Sequence, residues 1–418
     1  MSTVVQMHGF KRAVVDRPQP AMQLGVDQAL LISALLLLAL GIVMVASASM
    51  GVADRQSGDP LMFVRRHVMY AGLGIVLAVA MQRIRLVHWE KSGATMVLFA
   101  MFLLILVLIP GLGHTVNGAT RWLDLGVVGL QASEPARLLL ILYLAGYLVR
   151  RGEEVRQTLQ GFLKPMLLLS LACVLVLLEP DFGSAAVLLL TTLGMMYLAG
   201  VRFWHFIALL SGAGMVLALL AVSSPYRMQR LTAFLDPWSD PFNTGFQLTQ
   251  SLIAFGSGGW AGAGLGRSVQ KLFYLPEAHN DFLFAILAEE LGLVGVILVI
   301  GLFAVLIWRG FAIAAKAERS GHLFGAYLAN GITLWFAIQS MVNIGVNMGV
   351  LPTKGLTLPL VSAGGSSMLV MCAAVGLLLR VNLEVTVARE QVLRNDKSED
   401  KDRNKRRNGK KTKGRAAK

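Results

Sequence analysis

Ionisable side chains embedded in apolar sequence are costly to bury, so the few that occur there are the first candidates for chemistry. Asp281 follows PEAHN (276–280) and opens the apolar run FLFAILAEELGLVGVILVIGLF. A carboxylate at the mouth of a rigid element can act as a general base, taking the proton of a substrate hydroxyl. It can equally cap the helix that follows, a role Asn280 could also fill. Glu289 and Glu290 come two turns later, about 12 Å deeper in a helix. Pairing with a basic or amide group such as Arg137 or Gln339 fits them better than catalysis.

Around these acids the sequence offers further polar groups. In QASEPARL (131–138), Glu134 and Arg137 stand at i and i+3 with Pro135 in a first-turn position, the pattern of an ion pair at a helix start. Glu179 and Asp181 in EPDFG read as a polar tip between two apolar segments. Arg121, Arg227, Arg230 and Lys354 border apolar segments on one side. Arginine binds phosphate through paired donors and lysine as a point charge, and either can anchor at lipid headgroups instead. The seven histidines show no HExxH-like spacing, so no dedicated zinc site is expected. His279, two residues from Asp281, keeps a weaker metal option open. An outward-facing acid near several cations suits a substrate that carries a diphosphate.

The elements that hold these residues must lie in lipid. The chain has 418 residues, 55% hydrophobic and only 15% charged, where soluble domains carry about 25% charged residues. Apolar segments fall at 28–50, 68–81, 93–110, 135–149, 165–178, 184–200, 204–222, 282–308, 322–342 and 361–379. The expected fold is an all-α polytopic membrane protein of about ten transmembrane helices. The first segment is too long for the core of a signal peptide and is expected to stay as a span. Connections 82–92, 150–164, 201–203 and 309–321 carry 11 Lys and Arg in 42 residues, against 9 in 123 on the other side. That asymmetry places both termini in the cytoplasm, although Arg65 and Arg66 run against it.

Three units follow: a cytoplasmic segment 1–26, a membrane domain 27–380, and a basic tail 381–418 expected to be disordered. The net charge is +14, and residues 380–418 hold 14 basic against 6 acidic side chains. Without interleaved aromatics, that tail suits anionic headgroups rather than nucleic acid. Cys173 and Cys372 each lie in apolar runs as small hydrophobes, with no disulfide framework. The longest outer connection, 223–280, contains DPWSDPFNTG (236–245) and GSGGWAGAGLG (256–266). Its aromatics, Phe234, Trp238, Phe242, Phe246, Phe255 and Trp260, argue for an ordered loop folded back on the bundle.

Four blocks in order, NGATRWLDLG (117–126), YRMQRLTAFLDPWSDPFNTGFQLTQSLIAFGSGGWAGAGLG (226–266), PEAHNDFLFAILAEELG (276–292) and LPTKGLTLPLVSAGGSS (351–367), resemble the SEDS family over about residues 27–380. The forms LPTKGLTLP and PEAH resemble its cell-division branch. The resemblance implies a ten-helix bundle in the bacterial inner membrane, at the division septum, that polymerises lipid II into glycan with a class B penicillin-binding protein and other division proteins as partners. It implies that Asp281 is the catalytic aspartate, that Arg121, Arg227 and Lys354 lie on the diphosphate side, and that Glu134 is the acid of the family's PSE segment. No fixed cofactor is implied; a divalent cation, Mg or Mn, could accompany the diphosphate. Two departures stand out. Arg137 replaces a lysine, and Ala363 replaces the aromatic of SYGGSS. The rival readings are a lipid II flippase, with Glu134, Arg137 and Glu289 lining its path, and a non-catalytic division scaffold.

Overall fold

The structure, a computed structural model, describes residues 26–116, 119–124, 129–202, 204, 207, 211–212, 214–215, 234–243, 245–272, 274–352 and 355–415. Beyond 391 it describes the backbone only. Helices overlie the expected apolar segments on both sides of 204–222, the seventh, which lies largely outside the described residues. They are α1 (Gln28–Ser57), α2 (Met62–Arg83), α4 (Gly93–Leu108), α5 (Ser133–Gln157), α6 (Leu159–Leu178) and α7 (Phe182–Leu198). After the long connection come α9 (Leu283–Arg319), α10 (Leu323–Asn347) and α11 (Gly365–Arg415). Two helices belong to connections instead: α3 (Leu86–Lys91), and α8 (Phe246–Gly258) in the outer loop. Among the described residues, α1, α2, α6, α9 and the first part of α11 are long and apolar enough to cross a membrane. The protein is a mainly helical, multi-pass membrane protein.

Helix ends follow local chemistry. Asp27 caps α1 by accepting from Leu30 N at 3.0 Å, and Gly58 ends the helix in the left-handed region at φ 69°. The helices α5 and α10 lie at the centre. Trp335, Phe336 and Ile332 of α10 and Leu140, Ile141 and Leu144 of α5 are fully buried. A Cβ on Gly331 would stand 2.6 Å from Met195 and 2.7 Å from Ile141, so its missing side chain lets α5, α7 and α10 meet. By contrast, α2 buries only His67, Ala71 and Gly74.

A three-stranded antiparallel sheet, β1 (Gly113–Val116), β2 (Ala119–Asp124) and β3 (Gly129–Gln131), bridges α4 and α5. Val116 pairs with Ala119 across Asn117-Gly118, the dipeptide best suited to a two-residue hairpin. This sheet is the departure from an all-helical reading. A second departure is the tail: backbone expected to be disordered from 381 is helical to Arg415. Residues 381–415 contain no proline and many Glu, Lys, Arg and Leu, all good helix formers.

One connection runs inward. In 355–364, Leu356, Leu358, Leu360 and Val361 are buried, and Val361 O lies where a Cβ on Gly41 would be 2.6 Å away, midway along α1. Irregular backbone at this depth is tolerable because protein surrounds it.

Candidate active site

Asp281 stands two residues before α9, and its surroundings explain why it is not a cap. The N-cap is Phe282, and no side chain of its own segment accepts from the first turn. Asn280 instead donates to Glu277 Oε2 at 2.6 Å. The capping oxygen comes from another helix: Asn347 Oδ1 of α10 accepts from Ala285 N at 3.1 Å. The cap expected of Asp281 or Asn280 is therefore corrected, because a tertiary partner holds the position. Among the described residues, the Asp281 carboxylate has no hydrogen-bond donor. Its neighbour is Gly355, where a Cβ would lie 3.2 Å from Oδ2.

Burial is the main cause that pushes the Asp281 carboxyl up to about 7, with Glu277 and Asp181 adding to it and Arg121 opposing. A carboxylate near this value exchanges protons readily at neutral pH, which is what a general base needs. Glu179 is raised to about 8, first by burial and then by Asp181, again against Arg121. Burial holds the His279 ring below its usual value, with Glu277 pulling the other way.

Arg121, on β2, turns its guanidinium to the α6–α7 connection. Its Nε donates to Glu179 O at 3.2 Å and its Nη2 to Pro180 O at 2.7 Å. Asp181 caps α7 by accepting from Ser184 N at 3.0 Å and also accepts from Gln131 Nε2 at 3.0 Å. Sheet, α6–α7 turn and Asp281 thus meet at one end of the bundle. His279 packs its ring 4.6 Å from that of Phe63, and its carbonyl accepts from Ala363 N at 3.1 Å. Near Ala363, the Tyr70 ring lies against Gly365, where a Cβ would stand 2.7 Å from it. Arg227, Arg230 and Lys354 lie outside the described residues.

Glu134 and Arg137 form the expected pair, 3.6 Å apart and both buried. Arg137 Nη1 donates to Gln339 Oε1 at 2.8 Å, and its guanidinium lies 5.3 Å from the Trp335 ring. Glu289 and Glu290 do not join them. Glu289 accepts from Ser268 Oγ and from Val269 N at 2.9 Å. Glu290 accepts from Lys271 Nζ at 2.7 Å and from Ser47 Oγ at 2.7 Å. Both fasten the outer loop to the bundle. Asn343 and Asn347, which touch Asp281, were hidden from the sequence reading because the apolar segment ends at 342. The regular interval of four from Gln339 to Asn343 to Asn347 was the available signal.

The comparisons with known proteins agree with this architecture. A family model described as "Cell cycle protein", that of FtsW, RodA and SpoVE, matches residues 27–387. The chain belongs to that family. It is similar to the probable peptidoglycan glycosyltransferase FtsW of Thioalkalivibrio sulfidiphilus, 62% identical over 86% of this chain and 90% of that protein. The protein of the same name from Coxiella burnetii is 55% identical over 86% of this chain and 96% of that protein. Among solved structures, the fold is similar to a chain in a peptidoglycan synthase complex that coordinates polymerization and crosslinking. That match has a TM-score of 0.71 at 29% identity, over 87% of this chain and 99% of that one. The rod shape determining protein RodA of Thermus thermophilus matches at TM-score 0.63 and 30% identity, over 86% of this chain and 97% of that one.

Proposed function

We propose that this FtsW/RodA/SpoVE family member is a peptidoglycan glycosyltransferase that polymerises lipid II at the outer face of the bacterial cytoplasmic membrane during septal wall synthesis. The names of its relatives support the activity. A class B penicillin-binding protein is the proposed partner, in keeping with the synthase-complex neighbour. The observation that carries the mechanism is the half-buried Asp281 carboxylate at the head of α9, which caps no helix. Asp281 takes the proton of an acceptor sugar hydroxyl, the freed oxygen attacks the donor's anomeric carbon, and the lipid diphosphate leaves. Arg121 commits Nε and Nη2 to the 179–180 turn. Its Nη1, with Arg227 and Lys354, is assigned to the diphosphate. The described residues hold no group of three or more His, Cys, Asp or Glu able to bind a metal ion. A Mg²⁺ or Mn²⁺ arriving with the diphosphate would take phosphate oxygens and one or two protein carboxylates.

The test is polymerisation of lipid II by purified protein and partner in detergent, where a flippase has no leaflets to work between. Asp281→Asn keeps the shape and removes the base. It should lower the rate by about 10²- to 10⁴-fold while yield and partner binding stay at the parent level. Near-parent polymerisation by this variant would remove Asp281 from the mechanism.

A further inference from the structure

We infer that Asn343 and Asn347 of α10 are positioning residues that aim the Asp281 carboxylate, with Gln339 anchoring the facing loop one turn further along. The inference rests on the reading of Asp281 as the base. Trp335, Gln339, Asn343 and Asn347 follow each other at intervals of four and so share one face of α10. All four are buried. A buried amide needs partners for its donors and acceptors, and here the partners lie on the site. Asn343 Nδ2 donates to Asp281 O at 2.9 Å and to Leu356 O at 2.6 Å. Asn347 Nδ2 donates to the same Asp281 O at 3.0 Å, while its Oδ1 caps α9 through Ala285 N. Gln339 Nε2 donates to Thr357 O at 3.0 Å, and its Oε1 takes Arg137 and Trp335 Nε1.

Two consequences follow. The Asp281 carbonyl lies before the helix and has no helical donor, so the two amides fix the backbone from which the carboxylate springs. Asn343 fixes the Leu356 carbonyl as well, and so sets the distance between Asp281 and Gly355. The residue types matter. An amide holds the backbone through dipoles, whereas a Lys or Arg in its place would hold Asp281 ionised and weaken it as a base. Asn347 also takes the cap for which a carboxylate would otherwise compete. Among the described residues, the charged or titratable groups acting on Asp281 are Glu277, Asp181 and Arg121, each from a different segment.

The experiment measures kcat, KM and the acidic limb of the pH–rate profile for lipid II polymerisation by protein and partner in detergent. Asn347→Ala should lower kcat by about 10- to 100-fold with KM little changed, since misplacing a reacting group acts on the chemical step. Loosening Asp281 toward water should move the acidic limb to lower pH. Asn347→Asp keeps the capping oxygen and adds a negative charge, and should move the limb to higher pH. If Asn347→Ala fails to accumulate, Asn343→Ala gives the same reading, because it removes the donors to Asp281 and Leu356 and leaves the α9 cap. A folded variant with parent kcat and an unmoved limb would overturn the inference. In that case Asp281→Asn remains inactive; if Asp281→Asn is itself active, it is the base reading that fails.

Discussion

A carboxyl that the fold holds at about 7, against its ordinary 3.8, is a stability statement as well as a catalytic one. Folding takes up a proton at Asp281 between these values. Its contribution is therefore fully present below about pH 4 and is lost as pH rises through 7. Asp281→Asn cannot ionise, so its melting temperature should exceed the parent's most at pH 8 and match it near pH 4. Glu179 has the same sign, being raised to about 8, and cancels because both proteins carry it. Thermal melting in detergent at the two pH values measures the difference. An equal difference at both would mean that Asp281 is as well hydrated folded as unfolded. The residue was legible in the sequence as an acid at an apolar boundary. Its freedom from capping was not, because that depends on an oxygen supplied by Asn347, 66 positions later in the chain.

At the scale of elements, α9 is broken at Gly292, with φ 64° and ψ −163°. The break frees backbone groups that would be hard to bury unpaired. The glycine-rich run takes them: Ala263 N and Gly264 N donate to Glu289 O and Glu290 O at 2.9 and 3.1 Å. Leu293 N and Val294 N donate to Gly259 O and Trp260 O at 3.0 and 3.3 Å. Close approach needs glycine here, since a Cβ on Gly262 would lie 2.1 Å from Glu290 O and one on Gly258 2.0 Å from Ala288 O. Gly262→Ala and Gly258→Ala should each lower the yield of folded protein and its melting temperature. Gly256→Ala, exposed in α8 with nothing near its Cβ, should raise stability by about 0.5 to 1 kcal/mol. Equal effects at all three would mean the run does not pack on α9. Glycine spacing announces close approach but not its target, so the partner of this run was not legible in the sequence. The aromatics mislead in the same segment: Trp238, Phe242 and Trp260 are exposed, at 57%, 83% and 79%. Phe255 does pack, its ring 5.8 Å from that of Phe284 in α9, while backbone pairing and the two glutamates hold residues 259–271 in place. Exposed rings suit a lipid interface.

Across the whole molecule the polar groups divide between two ends. One end gathers the sheet, Arg121, Asp181, Glu277 and Asp281. The other is pinned by cations: Arg309 binds Asp27 through Nε at 3.1 Å and Nη2 at 2.5 Å, Arg156 Nε donates to Ala199 O at 2.6 Å, and Lys316 Nζ donates to Thr386 Oγ1 at 2.7 Å. The hydropathy pattern could anticipate this because each apolar run must traverse the same slab, and the loop charges then sort by side. It could not anticipate the three strands, which are too short to show a period and are announced only by Asn117-Gly118. If the basic end faces the cytoplasm, Asp281 faces outward, where a lipid-linked sugar substrate would be presented. The two-ended layout predicts that reporter fusions at Lys418 and in the segment around Trp238 read out on opposite sides of the membrane, cytoplasmic for the first. Both reporters on one side would put an odd number of crossings between them out of reach. The proposed base would then share a compartment with the tail, and an outward-facing polymerase could not be built from this chain.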